Sequence, residues 1–162
     1  MENNRKNQEV FIEDVFNNSI QNVFDAWTDP EKLVKWYAPD GCTIYFKKLD
    51  IRKRGKYQAC ISNPTHGDCW VIGEYLEIIP NSKIVFSMDN ADENGEPINP
   101  ADIGMDKDWP GRTVVTVTFK EENGKTRLTL QQTVSQALAQ KTGAYPSWLQ
   151  MLSNMRSLLE TK

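Results

Sequence analysis

The sequence predicts an α+β domain in which a curved antiparallel sheet of about seven strands wraps on a long C-terminal helix. Three observations lead there. Two short stretches of helical periodicity follow a single strand, six strand-like stretches separated by turn residues come next, and the chain closes on one long apolar helical stripe.

In chain order, Glu9 to Phe16 places Val10, Ile12 and Phe16 on one side of an extended chain, which suits a first strand. At Asn17-Asn18-Ser19 the period changes. Ser19 is a good N-cap, and Ile20, Val23, Phe24 and Trp27 recur at helical spacing until Asp29-Pro30 interrupts. Pro30 fits the first turn of a second short helix with Leu33, Val34, Trp36 and Tyr37 as its apolar side, ended by Pro39-Asp40-Gly41. Strands are then expected over Cys42 to Asp50, Lys56 to Ser62, Trp70 to Ile79, Lys83 to Asp89, Thr113 to Glu121 and Lys125 to Val134. Arg54-Gly55, Pro64 to Gly67, Pro80-Asn81-Ser82 and Asn123-Gly124 are the turn signals between them. Trp148, Leu152, Met155 and Leu159 mark a final helix from about Ser147 to Glu160, with Pro146 in its first turn and Ser135 to Thr142 as a separate preceding turn of helix.

Asp89 to Gly111 breaks this regularity, with three prolines, three glycines and seven carboxylates. It reads as a long acidic surface loop, and loops of that length in compact domains are usually lids or mobile segments. With no repeat and no linker, residues 1–162 read as one domain with its core at about 9–160.

The totals exclude several function classes. A net charge of -3 gives no clustered basic surface for nucleic acid. No apolar run approaches a bilayer span, and the start MENNRKNQEVFIED has no apolar signal region, so a cytoplasmic location is expected. Cys42, Cys60 and Cys69 are an odd number without a CxxC pair, so they read as reduced thiols rather than a disulfide framework or a zinc site. The one histidine, His66, lies in a turn, which leaves little for a metal centre or a nucleophilic triad. Asp89 to Glu96 offers oxygen ligands but fails the EF-hand spacing, so no metal and no cofactor is expected. The run Lys47 to Arg54 holds five positive charges in eight residues and reads as a solvated, protected strand edge.

Several segments carry a resemblance to a known family. Phe24-Asp25-Ala26-Trp27-Thr28-Asp29-Pro30-Glu31-Lys32-Leu33-Val34-Lys35-Trp36-Tyr37 resembles the "F-x-A-W-T-D-P-E-x-L-x-x-W" segment of bacterial proteins similar to the C-terminal domain of the activator of Hsp90 ATPase, of the START-like, Bet v 1-like superfamily. Asp50-Ile51-Arg52-Lys53-Arg54-Gly55-Lys56-Tyr57 is similar to that family's "D-x-R-x-G-G-x-[WY]", with Arg54 in place of the first glycine of the pair. Gly73 to Phe86 resembles its "G-x-[YF]-x-E-I-x-P-x-x-x-[IL]-x-F", and Val115 to Phe119 and Thr126 to Leu130 its last strand pair. Trp148 falls where the family places a tryptophan in the final helix. The resemblance implies the helix-grip fold, with a gap between sheet and C-terminal helix that holds a small apolar or amphipathic ligand.

Candidate walls of that cavity are Tyr57, Trp70, Phe86, Trp148, Leu152, Met155, Trp36 and Tyr37, whose apolar faces and few polar tips suit an apolar ligand. Glu74 is the candidate polar anchor, since a charge inside such a cavity needs a partner. The first expected function is therefore a non-catalytic binding protein for a small apolar molecule, acting as a monomer or homodimer. The second is a co-chaperone-like or stress-related module that binds an Hsp90-type ATPase, which the resemblance alone suggests. The third is an enzyme like the cyclases and hydrolases among helix-grip proteins, whose acid-base work would fall to Tyr57, Glu74 or Asp68.

Overall fold

The computed structural model describes residues 8–65 and 67–160. Strand β1 (Glu9–Phe16) leads into helices α1 (Ile20–Thr28) and α2 (Pro30–Trp36). Strands β2 (Thr43–Leu49), β3 (Lys56–Asn63), β4 (Gly67–Ile79), β5 (Lys83–Ala91), β6 (Arg112–Glu122) and β7 (Lys125–Ser135) follow, then α3 (Gln136–Thr142) and α4 (Ala144–Glu160). All strands join one antiparallel sheet in the order β1-β7-β6-β5-β4-β3-β2, so β1 and β2 are its edges. This is the helix-grip arrangement, and no helix is long and apolar enough to cross a membrane among the described residues.

Local chemistry sets the helix boundaries. The Ser19 side chain accepts from the Asn22 N–H, and Asp29 serves twice: its N–H closes α1 on the Asp25 carbonyl while its carboxylate accepts from the Glu31 N–H to open α2. Pro30 sits in the first turn, where its missing N–H costs nothing. The Trp36 indole donates to the Ala26 carbonyl at 2.8 Å, which locks the two short helices together. At the far end Gly143, with φ of 91°, ends α3. Its carbonyl accepts from the Ser147 N–H, so α4 starts at Ala144, three residues earlier than the stripe suggests, and Pro146 lies in a first turn whose N–H groups have no helical acceptor.

The strands differ from expectation chiefly at one end of the sheet. The β3–β4 hairpin closes on the pair Asn63 and Gly67, so β4 begins three residues before Trp70. Strand β5 runs on to Ala91, which bridges to Pro97. The expected loop therefore shrinks to residues 92–111 and contains a 3-10 turn, Pro100–Ile103, of its own. Asp92 organises its beginning, with one carboxylate oxygen accepting from the N–H groups of Asn94 and Glu96.

One face of the sheet is buried under the helices. Val10, Ile12, Phe16, Ile84, Val115, Val117, Leu128 and Leu130 pack there against Val23, Phe24, Trp27, Leu152 and Met155. Side-chain bonds clamp α4 to the rest. Asn154 donates to the Ala38 carbonyl, Arg156 to the Val15 carbonyl, Asn18 to the Leu159 carbonyl, and the Gln150 side chain accepts from the Asp40 N–H. Arg156 also pairs with Asp14 and covers the Phe16 ring at 4.4 Å.

Candidate functional site

The interior void lies under α1 and α2 rather than under α4. Trp27, Leu33 and Tyr37 wall it from the helix side, and Phe46, Tyr57, Tyr75, Ile84 and Phe86 from strands β2 to β5. Its volume is about 20 Å³, room for one water-sized group. The rings meet edge to face in two groups: Phe46 on Tyr57 at 6.4 Å and Tyr57 on Phe86 at 6.3 Å from the sheet, and Tyr37 on Trp27 at 6.1 Å from the helix side.

Three phenols give this wall its polarity. The Tyr57 hydroxyl donates to the Ser87 carbonyl at 2.7 Å. Those of Tyr37 and Tyr75 take no hydrogen-bond partner among the described residues, although both side chains are buried in the cavity wall. The buried indole N–H of Trp27 has none either. Burial pushes all three phenols well above their ordinary pKa, reinforced at Tyr37 by Tyr75 and at Tyr57 by both. They are therefore neutral hydrogen-bond donors at physiological pH.

Tyr57 reaches Ser87 across a gap made for it. The β4–β5 ladder pairs Ile72 with Asp89 and Tyr75 with Phe86. Between those pairs side chains supply the bonds, Tyr57 to the Ser87 carbonyl and the Glu74 N–H to the Ser87 hydroxyl at 3.0 Å. Gly73 lies beneath the Tyr57 ring; a Cβ there would stand 2.5 Å from the ring and 1.9 Å from the Ser87 carbonyl oxygen. Only glycine fits.

The residues expected in one cavity are distributed over four places. Tyr37, Tyr57 and Phe86 line the void. Trp36, Leu152 and Met155 are packed core without a surface on it. Trp148 is also core: its indole donates to the Gln132 side chain at 2.9 Å, whose amide donates to Thr113 at 3.0 Å, and the Tyr37 ring, 5.9 Å away, lies against it. Trp70 and Glu74 are elsewhere. Trp70 pairs with Cys60 and packs on Tyr45, which is 53% exposed on the side of the sheet away from the helices, with the Lys47 ammonium 5.9 Å from its ring. Glu74 lines a cleft of about 320 Å³ with Lys48, Lys56, Gln58, Asp89 and Arg112, the last two joined by a bidentate pair at 2.8 and 3.1 Å.

Trp27, Leu33, Phe46, Tyr75 and Ile84 complete the void without having been singled out for it. For Tyr75 a signal existed, since the Tyr57 and Gly73 partnership puts Tyr57 and Tyr75 on one face once the hairpin register is known.

A larger groove, about 660 Å³, opens where the β3–β4 hairpin and the end of β5 meet residues 92–105. Ile61, Trp70, Ile98, Ile103 and Met105 contribute apolar surface, and Asp68, Asp92 and Glu93 carboxylates. Tyr57 thus lines both the void and the outer cleft that holds Glu74, whereas Asp68 lies apart in the groove. Among the described residues no group of three His, Cys, Asp or Glu side chains comes together to hold a metal. His66 lies outside the described residues. The thiols of Cys42, Cys60 and Cys69 are free.

The comparisons with known proteins agree with this architecture. A crystal structure of a protein from Chromobacterium violaceum is 22% identical with a TM-score of 0.77, covering 94% of this chain and 97% of that one. A solution structure from Arthrobacter aurescens is 19% identical with a TM-score of 0.81, covering 96% and 87%. One from Staphylococcus epidermidis is 25% identical with a TM-score of 0.77, covering 95% and 90%. No curated protein matches the chain. The family described as activator of Hsp90 ATPase homolog 1-like protein matches residues 17–160, nearly the whole helix-grip core. The chain belongs to that family.

Proposed function

We propose that the chain is a non-catalytic binding protein for a small apolar or amphipathic molecule, held between α1–α2 and strands β2 to β5. The supporting observation is the aromatic void itself: among the described residues eight apolar and aromatic side chains surround it, and two of its hydroxyls have no partner there. Few convergent polar groups in an apolar wall is the usual composition of a small-molecule site. At about 20 Å³ the void is the closed form, and a ligand must part the rings to enter. Phe46 is the ring best placed to yield, because β2 is an edge strand paired only with β3 and its register shifts just after Phe46.

Native mass spectrometry of the chain purified from its source tests this. The expected result is a bound organic mass that is lost on denaturation and lost from a Phe46→Trp variant that fills the void. A chain that flies at its bare mass, and whose solvent extract contains nothing, removes the reading.

The open groove favours a second reading, a protein-interaction module like the activators for which the family is named. Its apolar surface and its carboxylates at Asp68, Asp92 and Glu93 suit a partner segment with apolar and basic residues. ATP turnover by an Hsp90-type ATPase, measured with and without the chain, should rise on addition; an unchanged rate across a wide titration eliminates it.

A further inference from the structure

We propose that the void under α2 is the recognition point for one uncharged oxygen of the ligand, a carbonyl or hydroxyl that accepts hydrogen bonds from Tyr37 and Tyr75. This rests on the small-ligand reading and adds the chemical class to it.

The argument starts from the two hydroxyls. Both belong to side chains more than nine-tenths buried, both side chains line the same space, and neither hydroxyl is hydrogen-bonded among the described residues. Buried polar groups in folded proteins nearly always find a partner, because an unmet donor loses the hydrogen bonds it made to water in the unfolded chain. Two such hydroxyls on side chains that line one void of about 20 Å³, beside the unpartnered indole N–H of Trp27, point to an occupant with an oxygen at that spot. Tyr57 does not compete for it, since its proton goes to the Ser87 carbonyl.

The same wall selects the charge of that oxygen. Among the described residues no Lys, Arg, His, Asp or Glu lines the void, so a carboxylate or an ammonium placed there would be desolvated with no countercharge. Phenols are protonated at neutral pH, which leaves Tyr37 and Tyr75 donors and makes an acceptor the fitting partner. A neutral ketone, aldehyde or alcohol oxygen meets both requirements, with its apolar remainder against Phe46, Leu33 and Phe86.

Three small probes of similar shape separate the possibilities on the full chain: acetophenone, ethylbenzene and benzoate, titrated calorimetrically and followed by amide shifts. Acetophenone should bind about tenfold more tightly than ethylbenzene, with benzoate the weakest. In a Tyr37→Phe, Tyr75→Phe double variant, which removes only two oxygens, that preference should shrink to within about twofold. Equal affinities in the unmodified chain, or a preference that survives in the double variant, would overturn the oxygen site while leaving the ligand-binding reading in place. Benzoate binding most tightly would overturn the neutral class. Failure of all three to bind, with a long-lived water found between the two hydroxyls, would show that the donors serve a resident water and would also overturn the proposal, whereas the ligand-binding reading stands or falls on the mass measurement.

Discussion

The Tyr57 hydroxyl donates to the carbonyl of Ser87, thirty residues on, across a strand that lies between them. Its ring passes over Gly73 of β4 to reach β5, so one side chain of β3 stitches three strands where the backbone ladder is interrupted. Tyr57→Phe should cost about 1–2 kcal/mol, the value of a buried hydrogen bond with its acceptor left unmet. Gly73→Ala should cost about 3 kcal/mol or more, because the added methyl meets a backbone oxygen that has no room to retreat. Urea denaturation of the two variants checks the order; an alanine at 73 no worse than a phenylalanine at 57 would contradict it.

Arg54 adopts a φ of 70° at the position where the resembling motif has glycine. The left-handed region costs a side-chain-bearing residue about 1–2 kcal/mol, partly offset by the entropy that glycine loses on folding. Arg54→Gly is therefore expected to stabilise the fold by about 0.5–1 kcal/mol. Asn81 and Asn123 have positive φ as well, but asparagine tolerates it, so glycine there should change little. A raised denaturation midpoint for Arg54→Gly alone is the expected pattern.

Stability should fall steeply at alkaline pH. The folded-state pKa values of Tyr37, Tyr57 and Tyr75 are raised by burial above the ordinary phenol value of about 10. Below that pH both states keep these protons and the stabilisation is complete. Above it the unfolded chain releases protons that the folded chain retains, so stability declines by up to about 4 kcal/mol per pH unit for three such groups. Urea midpoints between pH 8 and about 11 should be flat at first and then drop. The drop should soften in the Tyr37→Phe, Tyr75→Phe variant, and an unchanged slope there would refute the assignment.

The Trp148, Gln132 and Thr113 side chains form one buried hydrogen-bonded chain. Gln132→Leu strands the indole N–H and the threonine hydroxyl together and should cost about 2–4 kcal/mol, more than its change in apolar area would indicate. Thermal melts of Gln132→Leu and of the Gln132→Leu, Trp148→Phe double variant form the check. The second substitution should restore part of the loss, since it removes one stranded donor.

The sequence showed the order and kind of every strand and helix, because each changes the hydrophobic period at a residue that also caps or turns: Ser19, Pro30, Asn123-Gly124, Ser135. Where extended chain continued past its apolar run the boundary was missed. Gly67 to Cys69 pair in the hairpin without apolar alternation, and Asn90 and Ala91 pair inside what composition marks as loop. The site was less legible for a related reason. Which face Trp70 and Glu74 occupy depends on hairpin closure at Asn63 and Gly67, and that register couples Trp70 to Cys60 and Glu74 to Lys56, opposite in parity to Tyr57. The void's position under the paired short helices depends on the tilt of α1 and α2 across the sheet, which no local period encodes.

On the proposed ligand-binding reading, exchange through the void has a kinetic signature separate from its affinity, because Phe46 stands on an edge strand of the sheet. Fraying β2 breaks backbone bonds to a single neighbour and leaves the six other strands paired, so the gate can open on the timescale of local fluctuation rather than that of unfolding. Residence time would then be governed by the amide protection of β2, and a substitution that tightens this strand would lengthen the stay of an occupant without touching a single atom that contacts it.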